Sequence, residues 1–362
     1  MITRIEKINP RIPEKDRIQR AAAILKEGGL VAFPTETVYG LGAVALQPEA
    51  AKRIYAAKGR PSDNPLIVHI ADFDAVYRIA REIPPQAEAL ADAFWPGPLT
   101  MIFQKTEAVP YETTGGLDTV AVRMPSHPAV LALIRESGGY IAAPSANTSG
   151  RPSPTLAKHV WEDLSGRIPL ILDGGEVGIG IESTIVDLSG IEKDEDGKWI
   201  SDGIPMILRP GYITGEMIAD VIGAVREDPG LLAEDAQVRP KAPGMKYRHY
   251  APRAELVIVS GAPQKVAERI NALTEENRRR GEKTGVLCAS ESCGQYQADI
   301  VKCIGSREDE DSIAQGLYAA LREMDERGAD RIYAESFSDL RIGSAVMNRL
   351  QKAAGQHIME VW

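Results

Sequence analysis

The stretch Leu30-Val31-Ala32-Phe33-Pro34-Thr35-Glu36-Thr37-Val38-Tyr39-Gly40-Leu41-Gly42 follows directly on a helical pattern, and this order predicts an α/β fold. Apolar residues recur at helical spacing over Lys15–Lys26, and Gly28-Gly29 supplies the stop. Residues 30–33 then form a short apolar run that is typical of a buried strand. The polar run that follows leaves this strand where the sheet ends, a usual place for a binding crevice.

The next 190 or so residues repeat this arrangement of short apolar runs and helical patterns. Strands are predicted at residues 66–70, 99–103, 119–122, 140–143, 169–172, 184–188 and 206–208, and helices at 49–58, 86–94, 127–136 and 155–164. Some neighbouring strands leave no room for a crossover helix, so the sheet should contain antiparallel pairs. Residues 1–225 are therefore predicted to form one mixed α/β domain, with residues 191–203 as a surface hairpin insertion.

A second domain is predicted after a proline-rich linker. Periodicity is lost over residues 226–252, which include four prolines. Strand and helix patterns then alternate through residues 253–362, which predicts a smaller, parallel, Rossmann-like sheet. No motif gives this second domain a task of its own, and the sequence leaves its role and the oligomeric state open.

Composition limits the classes of function. The chain has 362 residues, 44% of them hydrophobic and 26% charged, as in an ordinary globular protein. Its formal net charge of −9 argues against coating nucleic acid, although local anion sites stay possible. Cys288, Cys293 and Cys303 have no paired spacing, which predicts reduced core thiols and neither a disulfide nor a zinc site. With no signal or membrane-length apolar run, the expected location is the cytoplasm and no membrane partner is expected.

The linker carries an unusual segment, Ala242-Pro243-Gly244-Met245-Lys246-Tyr247-Arg248-His249-Tyr250-Ala251-Pro252. A spacer needs only Gly, Ser or Pro, whereas three basic side chains and two phenols can hold an anion and cover a ring. This composition predicts a lid over a binding site.

Loops at strand ends supply the candidate ligands for that site. Thr35, Glu36 and Thr37 could present hydroxyls and a carboxylate to a crevice, or serve only as a cap and turn. Gly40, Gly42 and Ala45 also match the GxGxxA pattern of dinucleotide folds, but the acidic ribose partner that the pattern requires is missing.

Two basic positions have competing interpretations. Lys58 could offset a helix dipole or add charge beside phosphates, while Arg60 and Asn64 continue on a backbone stiffened by prolines, as a phosphate cradle requires. Arg123 ends a buried strand and needs an anionic partner, either a substrate carboxylate or a structural Asp or Glu. His69 alternates with apolar neighbours, a pattern that equally fits a core histidine.

The remaining loops are rich in small polar donors. Ser145, Asn147 and Ser153 surround a turn, and Ser183 and Arg209 lie at strand boundaries. No Walker loop, HExxH, GxSxG or histidine–cysteine metal pattern occurs in the sequence. This inventory suits positioning and charge stabilisation of phosphoryl chemistry better than covalent catalysis.

Taken together, the motifs closely resemble the threonylcarbamoyl-AMP synthase family in its longer, two-domain form. They are Pro34 to Gly40, Lys58-Gly59-Arg60, Ala143-Pro144-Ser145-Ala146-Asn147, Glu182-Ser183-Thr184, Leu208-Arg209-Pro210-Gly211 and Gly244 to Pro252. The resemblance implies a YrdC-like catalytic domain with a mixed twisted sheet, followed by a Rossmann-like accessory domain.

The resemblance also implies a reaction and a set of ligands. L-Threonine, bicarbonate and ATP would give threonylcarbamoyl-AMP and pyrophosphate, with Mg²⁺, for a downstream transferase machinery that modifies adenosine in tRNA. The implied threonine ligands are Thr37, His69, Arg123, Ala143 and Ser183. The implied ATP ligands are Lys58, Arg60, Asn64, Thr119, Ser145, Asn147, Ser153, Arg209 and His249, with Tyr247 and Tyr250 in the lid and no metal-binding side chain.

Two alternatives stay open at this point. One is a tRNA-binding scaffold, which the acidic net charge disfavours, so any direct tRNA binding should be weak. The other is a carbamoyl or acyl transferase that uses a different amino donor at the same phosphate site.

Overall fold

The computed structural model describes residues 1–191, 193, 196–197, 199, 203–229, 242 and 250–362. These residues fold into two compact units. The first comprises Met1–Ser149, Leu156–Val177 and Glu182–Tyr247, and the second comprises Gly150–Thr155, Gly178–Ile181 and Arg248–Trp362. The domain limits inferred from the sequence stay predictions.

The first unit is built on one large mixed sheet, as the sequence predicts. Its strands are β1 (Arg4–Lys7), β2 (Val31–Phe33), β3 (Gly40–Val44), β4 (Ile67–His69), β5 (Ala80–Arg81), β6 (Leu99–Lys105), β7 (Thr119–Arg123), β8 (Ile141–Ala143), β9 (Leu170–Asp173), β10 (Thr184–Asp187), β11 (Met206–Arg209) and β12 (Arg226–Glu227). They lie in the order β1-β9-β2-β3-β8-β4-β7-β6-β10-β11-β12, with β5 beside β6. The expected antiparallel pairs are confirmed in β2–β3, β3–β8, β4–β8, β6–β7 and β10–β11.

Helices cover both faces of this sheet. They are α1 (Lys15–Lys26), α2 (Pro48–Lys58), α3 (Val76–Ile79), α4 (Pro85–Phe94), α5 (Tyr111–Thr114), α6 (Pro128–Glu136), α7 (Ala157–Leu164) and α8 (Gly215–Ile222). Apolar residues of α2, α4, α7 and α8 form the larger core on one face. On the other face, α1 and α6 pack over β2, β8 and β9.

The part of this second face formed by β4, β7, β6, β10 and β11 carries a smaller apolar cluster. Its members are Ile67, Ile102, Ala121, Ile185, Leu208 and Ala242. Ala242 belongs to the predicted lid segment and is fully buried there. In the surface insertion, an isolated antiparallel bridge joins Lys193 to Trp199.

The second unit has the predicted parallel sheet. Its strands are β13 (Glu255–Gly261), β14 (Thr284–Ala289), β15 (Ile300–Gly305), β16 (Arg331–Glu335) and β17 (Ile358–Val361), in the order β15-β14-β16-β13-β17. All its strand pairs are parallel. The helices are α9 (Pro263–Arg279), α10 (Glu310–Glu326) and α11 (Gly343–Ala353).

The cysteine prediction is wrong in part. Cys293 and Cys303 form a disulfide, whereas Cys288 is a buried free thiol, as expected. The connection from β14 to its parallel neighbour β15 carries Cys293 in a short 3₁₀ helix, and the return of the chain along β15 brings Cys303 beside it. Spacing alone could not show that return.

None of the helices in the described part of the chain is both long enough and apolar enough to span a bilayer.

Candidate functional site

A row of polar side chains crosses the second face of the large sheet. In register, His69 of β4 lies opposite Arg123 of β7, and Arg123 lies opposite Thr100 of β6. Side chains directly opposite one another in neighbouring strands point to the same face. Ser183 and Arg209 continue the row, because Ser183 contacts Thr100 and Arg209 contacts Ser183. Strand register thus places His69, Arg123 and Thr100 side by side, and hydrogen bonds extend this row to Ser183 and Arg209.

Ser183 joins the two halves of this row. Its Oγ lies 2.8 Å from Thr100 Oγ1 and accepts a hydrogen bond of 3.1 Å from Arg209 Nη2. Arg209 Nε donates to the Ser183 carbonyl at 3.0 Å. All three residues are buried, with Ser183 and Thr100 at 0% exposure. The hydroxyl of Ser183 is therefore fixed beside a buried cation.

Arg123 has a structural carboxylate as a partner, which is one of the two alternatives that the sequence left open for it. Its Nη2 donates to Glu36 Oε1 at 2.6 Å, and its Nη1 donates to Thr37 Oγ1 at 3.0 Å. Its Nε donates to the Gly97 carbonyl at 3.2 Å. The structural carboxylate considered for this arginine is Glu36. Because three of the five N–H groups have these partners, two remain for a ligand within the described part of the chain.

His69 is buried and uncharged in this setting. Burial, with the nearby Arg123 charge, lowers the pKa of His69 to about 3. Its Nδ1 lies 3.2 Å from the Ile67 carbonyl. The side chain therefore offers a neutral imidazole at neutral pH.

Thr35 fixes the turn that carries Glu36 and Thr37. Its Oγ1 accepts hydrogen bonds from the backbone N–H groups of Thr37 and Val38 at 3.1 and 3.2 Å. It also donates to the Val38 carbonyl at 2.6 Å. Turn chemistry thus explains Thr35, while Glu36 and Thr37 are directed to Arg123. Ala143, the backbone ligand implied for threonine, pairs with Ile67 at the end of β8.

The dinucleotide pattern has a packing explanation. Gly40 and Gly42 lie within β3, not in a loop before a helix. A Cβ at Gly42 would lie 2.5 Å from the Phe33 ring. Glycine is needed there for close strand packing, so the GxGxxA match carries no nucleotide site.

Lys58 holds the loop that contains Ser145 and Asn147. It ends α2, is 1% exposed, and its Nζ donates to the Ser145 carbonyl and, at 2.5 Å, to the Asn147 carbonyl. Ser145 Oγ in turn donates to Asn147 Oδ1 at 2.6 Å. The structure therefore gives Lys58 a loop-fixing role, and direct contact with phosphates stays a prediction.

Arg60 and Asn64 form a second polar group. Gly59 ends α2 in the left-handed region at φ 63°, and the chain then turns towards Arg60. Arg60 Nη2 donates to Asn64 Oδ1 at 2.5 Å and to the Pro65 carbonyl at 3.1 Å. Thr119, half-buried, begins β7 beside this segment.

The row at His69 and Arg123 lies at one end of strands β4 and β7. The group of Arg60, Asn64 and Thr119 lies at the other end. Thr119 and Arg123 are four residues apart on β7, about 13 Å at the usual rise of a strand, and both side chains face the same way. The face between them is the apolar cluster around Ala121 and Ala242.

The remaining predicted ligands are placed elsewhere or not described. Tyr247 and His249 lie outside the described residues. Ser153 and Tyr250 belong to the second unit. Ser153 is fully buried, and the Tyr250 ring packs against Tyr318 with 5.3 Å between ring centres.

Thr100 and Glu36 belong to this site but are not among the ligands that the resemblance implies. Thr100 lies inside an apolar strand run, where a threonine is ordinary. Glu36 was noted in its loop, but its partner is 87 residues away and depends on sheet register. A buried polar residue at a strand position in line with Arg123 is the signal that could have identified Thr100.

No carboxylate cage for a metal is present among the described residues. The one group of three sulfur ligands found there is Cys288, Cys293 and Cys303 in the second unit, and the disulfide occupies two of the three.

Two family models match the chain. The model described as "Telomere recombination" matches residues 23–203, and the model described as "Threonylcarbamoyl-AMP synthase, C-terminal domain" matches residues 213–355. A Threonylcarbamoyl-AMP synthase of Bacillus subtilis is 52% identical over 344 residues, covering 95% of this chain and 94% of the relative. The chain belongs to the threonylcarbamoyl-AMP synthase family.

Solved structures agree with this membership. The crystal structure of Pyrococcus abyssi Sua5 complexed with L-threonine matches with a TM-score of 0.90 at 48% identity, covering 99% of this chain and all of that one. A variant of the same protein, with a histidine and the following tyrosine replaced by alanine, matches with a TM-score of 0.90 at 49% identity, covering 99% and 98%. The resemblance to the two-domain form is thereby confirmed.

Proposed function

We propose that this chain is a nucleotidyltransferase that makes threonylcarbamoyl-AMP and pyrophosphate from L-threonine, bicarbonate and ATP. The observation that carries the proposal is the buried row from His69 through Arg123 and Ser183 to Arg209, in a chain of this family. Relatives from Bacillus subtilis and Pyrococcus abyssi, matched over 94% and 100% of their lengths, bear the synthase name. Sua5 of Pyrococcus abyssi has been crystallised with L-threonine.

The threonine subsite lies at the Arg123 end of β7. Two N–H groups of Arg123 would bind the carboxylate, and Thr37 and Ser183 offer buried hydroxyls to the amino acid. His69, neutral at pH 7, can hydrogen-bond the substrate hydroxyl without adding a second positive charge. The Ala143 backbone completes the set.

ATP would lie along β4 and β7 towards Asn64 and Thr119. Arg60 and Arg209 place cations at the two ends of that path, and the Lys58-fixed loop presents Ser145 and Asn147. Asn147, Ser153 and His249 remain further ATP ligands in this proposal. The proposed ATP ligands include no carboxylate for a protein cage around Mg²⁺, so Mg²⁺ would arrive with the phosphates and supply charge neutralisation there.

The chemistry needs no protein nucleophile. The threonine amine and bicarbonate give a carbamate with loss of water, and a carbamate oxygen then bonds to the α-phosphorus while the bond to pyrophosphate breaks. Fixed cations stabilise the negative charge that builds on the phosphoryl oxygens. Exclusion of water protects the carbamate, because carbamates lose CO₂ readily in water.

The linker is proposed to close over this path. Ala242 is already buried on the apolar cluster between the two subsites. Tyr247, His249 and Tyr250 follow it in sequence, and His249 is the proposed ATP contact. The Pyrococcus abyssi variant replaces a histidine and the following tyrosine, the same pair of residue types as His249 and Tyr250.

The product would be consumed in the cytoplasm by a downstream transferase that modifies tRNA, with weak direct tRNA binding by this chain.

One experiment tests the proposed function together with the alternative of a different amino donor. Purified protein would be incubated with ATP, bicarbonate and each standard amino acid in turn, and the adenylate and pyrophosphate measured by mass spectrometry. Threonine should give the product at a rate at least tenfold above any other amino acid, and an equal or higher rate with another donor would reject the assignment.

A further inference from the structure

Glu36 has one carboxylate oxygen that the fold does not use. Oε1 accepts from Arg123 Nη2 at 2.6 Å, whereas Oε2 is buried and has no hydrogen-bond partner among the described residues. The Glu36 side chain is 14% exposed and that of Arg123 is 5% exposed. A buried carboxylate oxygen without a donor is costly, because it has lost water and gained nothing in exchange.

The position of this oxygen indicates what would satisfy it. Arg123 retains two N–H groups after its bonds to Glu36, Thr37 and Gly97 within the described part of the chain. An acceptor oxygen therefore lies directly beside spare donors on the same ion pair. An α-amino acid presents the complementary arrangement, with an ammonium group one carbon away from a carboxylate.

We infer that Glu36 is the specificity-determining residue that recognises the α-amino group of the substrate. Arg123 binds the carboxylate, and Glu36 Oε2 accepts a hydrogen bond from the α-nitrogen. The pair therefore recognises both charged groups of the amino acid. It also holds the nitrogen that later forms the carbamate. This inference rests on the proposed amino acid subsite. It adds to that subsite a residue outside the implied threonine ligands.

The charges of the neighbourhood agree with this role. Glu36 and Arg123 together are neutral, so a zwitterion enters without leaving net charge in a buried site. A ligand with a carboxylate but no amine would instead leave Glu36 Oε2 buried beside it without a hydrogen-bond donor. A site built to hydrogen-bond a polar group rejects the analogue that lacks the group by a large factor, since its own polar atoms are left unpaired.

The test compares L-threonine with the matching hydroxy acid, 3-hydroxybutanoate, in which a hydrogen replaces the amine. Binding of each would be measured by calorimetry on the full-length chain without ATP or bicarbonate. We expect the native protein to prefer threonine by at least 100-fold. In Glu36→Gln, the amide oxygen can still accept from Arg123, but the amide N–H₂ faces the ammonium, and threonine affinity should fall at least 30-fold while hydroxy acid affinity changes less than threefold.

Controls separate recognition from folding and from the proposed function. Glu107→Gln removes an exposed loop carboxylate and should leave both affinities unchanged. Glu36→Asp retains a carboxylate on a side chain that is one methylene shorter, so its threonine preference should fall about tenfold, less than that of Glu36→Gln. It would also serve as the informative variant if Glu36→Gln did not fold, because a preference reduced tenfold by the shorter side chain supports the same role.

A threonine preference that is equal in Glu36→Gln and native protein would overturn the inference and leave Glu36 as a support for Arg123 alone. Because this readout is binding, it is independent of adenylate formation. If threonine were bound selectively through Glu36 but no adenylate formed, the proposed reaction would fail and this inference would stand.

Discussion

Arg123 holds a buried charge whose partner is Glu36, with Thr37 and Gly97 as further acceptors. Removal of one member of a buried ion pair leaves the other without compensation, which usually costs about 3–5 kcal/mol. Arg123→Gln should therefore lower the free energy of unfolding by about 3 kcal/mol, measured in urea. The double variant with Glu36→Gln should be more stable than Arg123→Gln, and additive losses would contradict a coupled pair.

His69 gives the site a pH dependence with a definite sign. The unfolded chain binds a proton on this histidine near pH 6.5, whereas the folded chain does so only near pH 3, because of burial and the Arg123 charge. Between these values the unfolded state binds more protons, so stability falls as pH falls, by up to about 1.4 kcal/mol per pH unit. The free energy of unfolding of His69→Asn, measured in urea at pH 7, 6, 5 and 4, should fall less steeply with falling pH than that of the native protein. An identical pH dependence would contradict the lowered pKa of His69.

At the scale of elements, the end of α2 controls the loop of Ser145 and Asn147. Lys58→Met removes the ammonium that binds two loop carbonyls, which should cost about 1–3 kcal/mol and weaken ATP binding at least tenfold. Threonine affinity should change less than threefold. Lys52→Met is the matched control, since Lys52 is on the same helix with its side chain 53% exposed. Equal loss of ATP and threonine binding would mean that the loop serves the whole site.

The contact between β2 and β3 provides a packing test. A methyl group at Gly42 would meet the Phe33 ring at 2.5 Å and Ile141 at 2.8 Å, so Gly42→Ala should destabilise the protein by about 1–3 kcal/mol. Gly190→Ala, where a Cβ meets nothing within 4 Å, should be neutral. Thermal unfolding of both variants decides whether Gly42 is needed for packing, as the structure indicates.

Helices and strands with a strong period were predictable, and those without one were not. The limits predicted for α2, β7 and β9 agree with the structure to within one residue at each end. The strands β1 and β17 were missed because they are short and partly exposed, and β3 because its glycines resemble a loop. The Arg123–Glu36 pair could not be derived at all, since it depends on which strands are neighbours in the sheet.

The whole molecule carries a net charge of −9, which sets an expectation for nucleic acid binding. Without a bulk electrostatic contribution, labelled tRNA should bind no more tightly than ordinary nonspecific contacts, with Kd of about 1 μM or weaker at physiological salt. Fluorescence titration with and without ATP would measure this. Nanomolar binding without ATP would favour the scaffold alternative.

The central claim is that one active site joins threonine, bicarbonate and the α-phosphate of ATP. The most direct measurement uses ¹⁵N-threonine, ¹³C-bicarbonate and ATP with the native chain, followed by ¹³C NMR. We expect a single product signal that shows one-bond coupling to ¹⁵N and two-bond coupling to ³¹P, because the carbamate carbon is bonded to nitrogen and, through oxygen, to phosphorus. Consumption of ATP without any new ¹³C signal that carries both couplings would contradict the account.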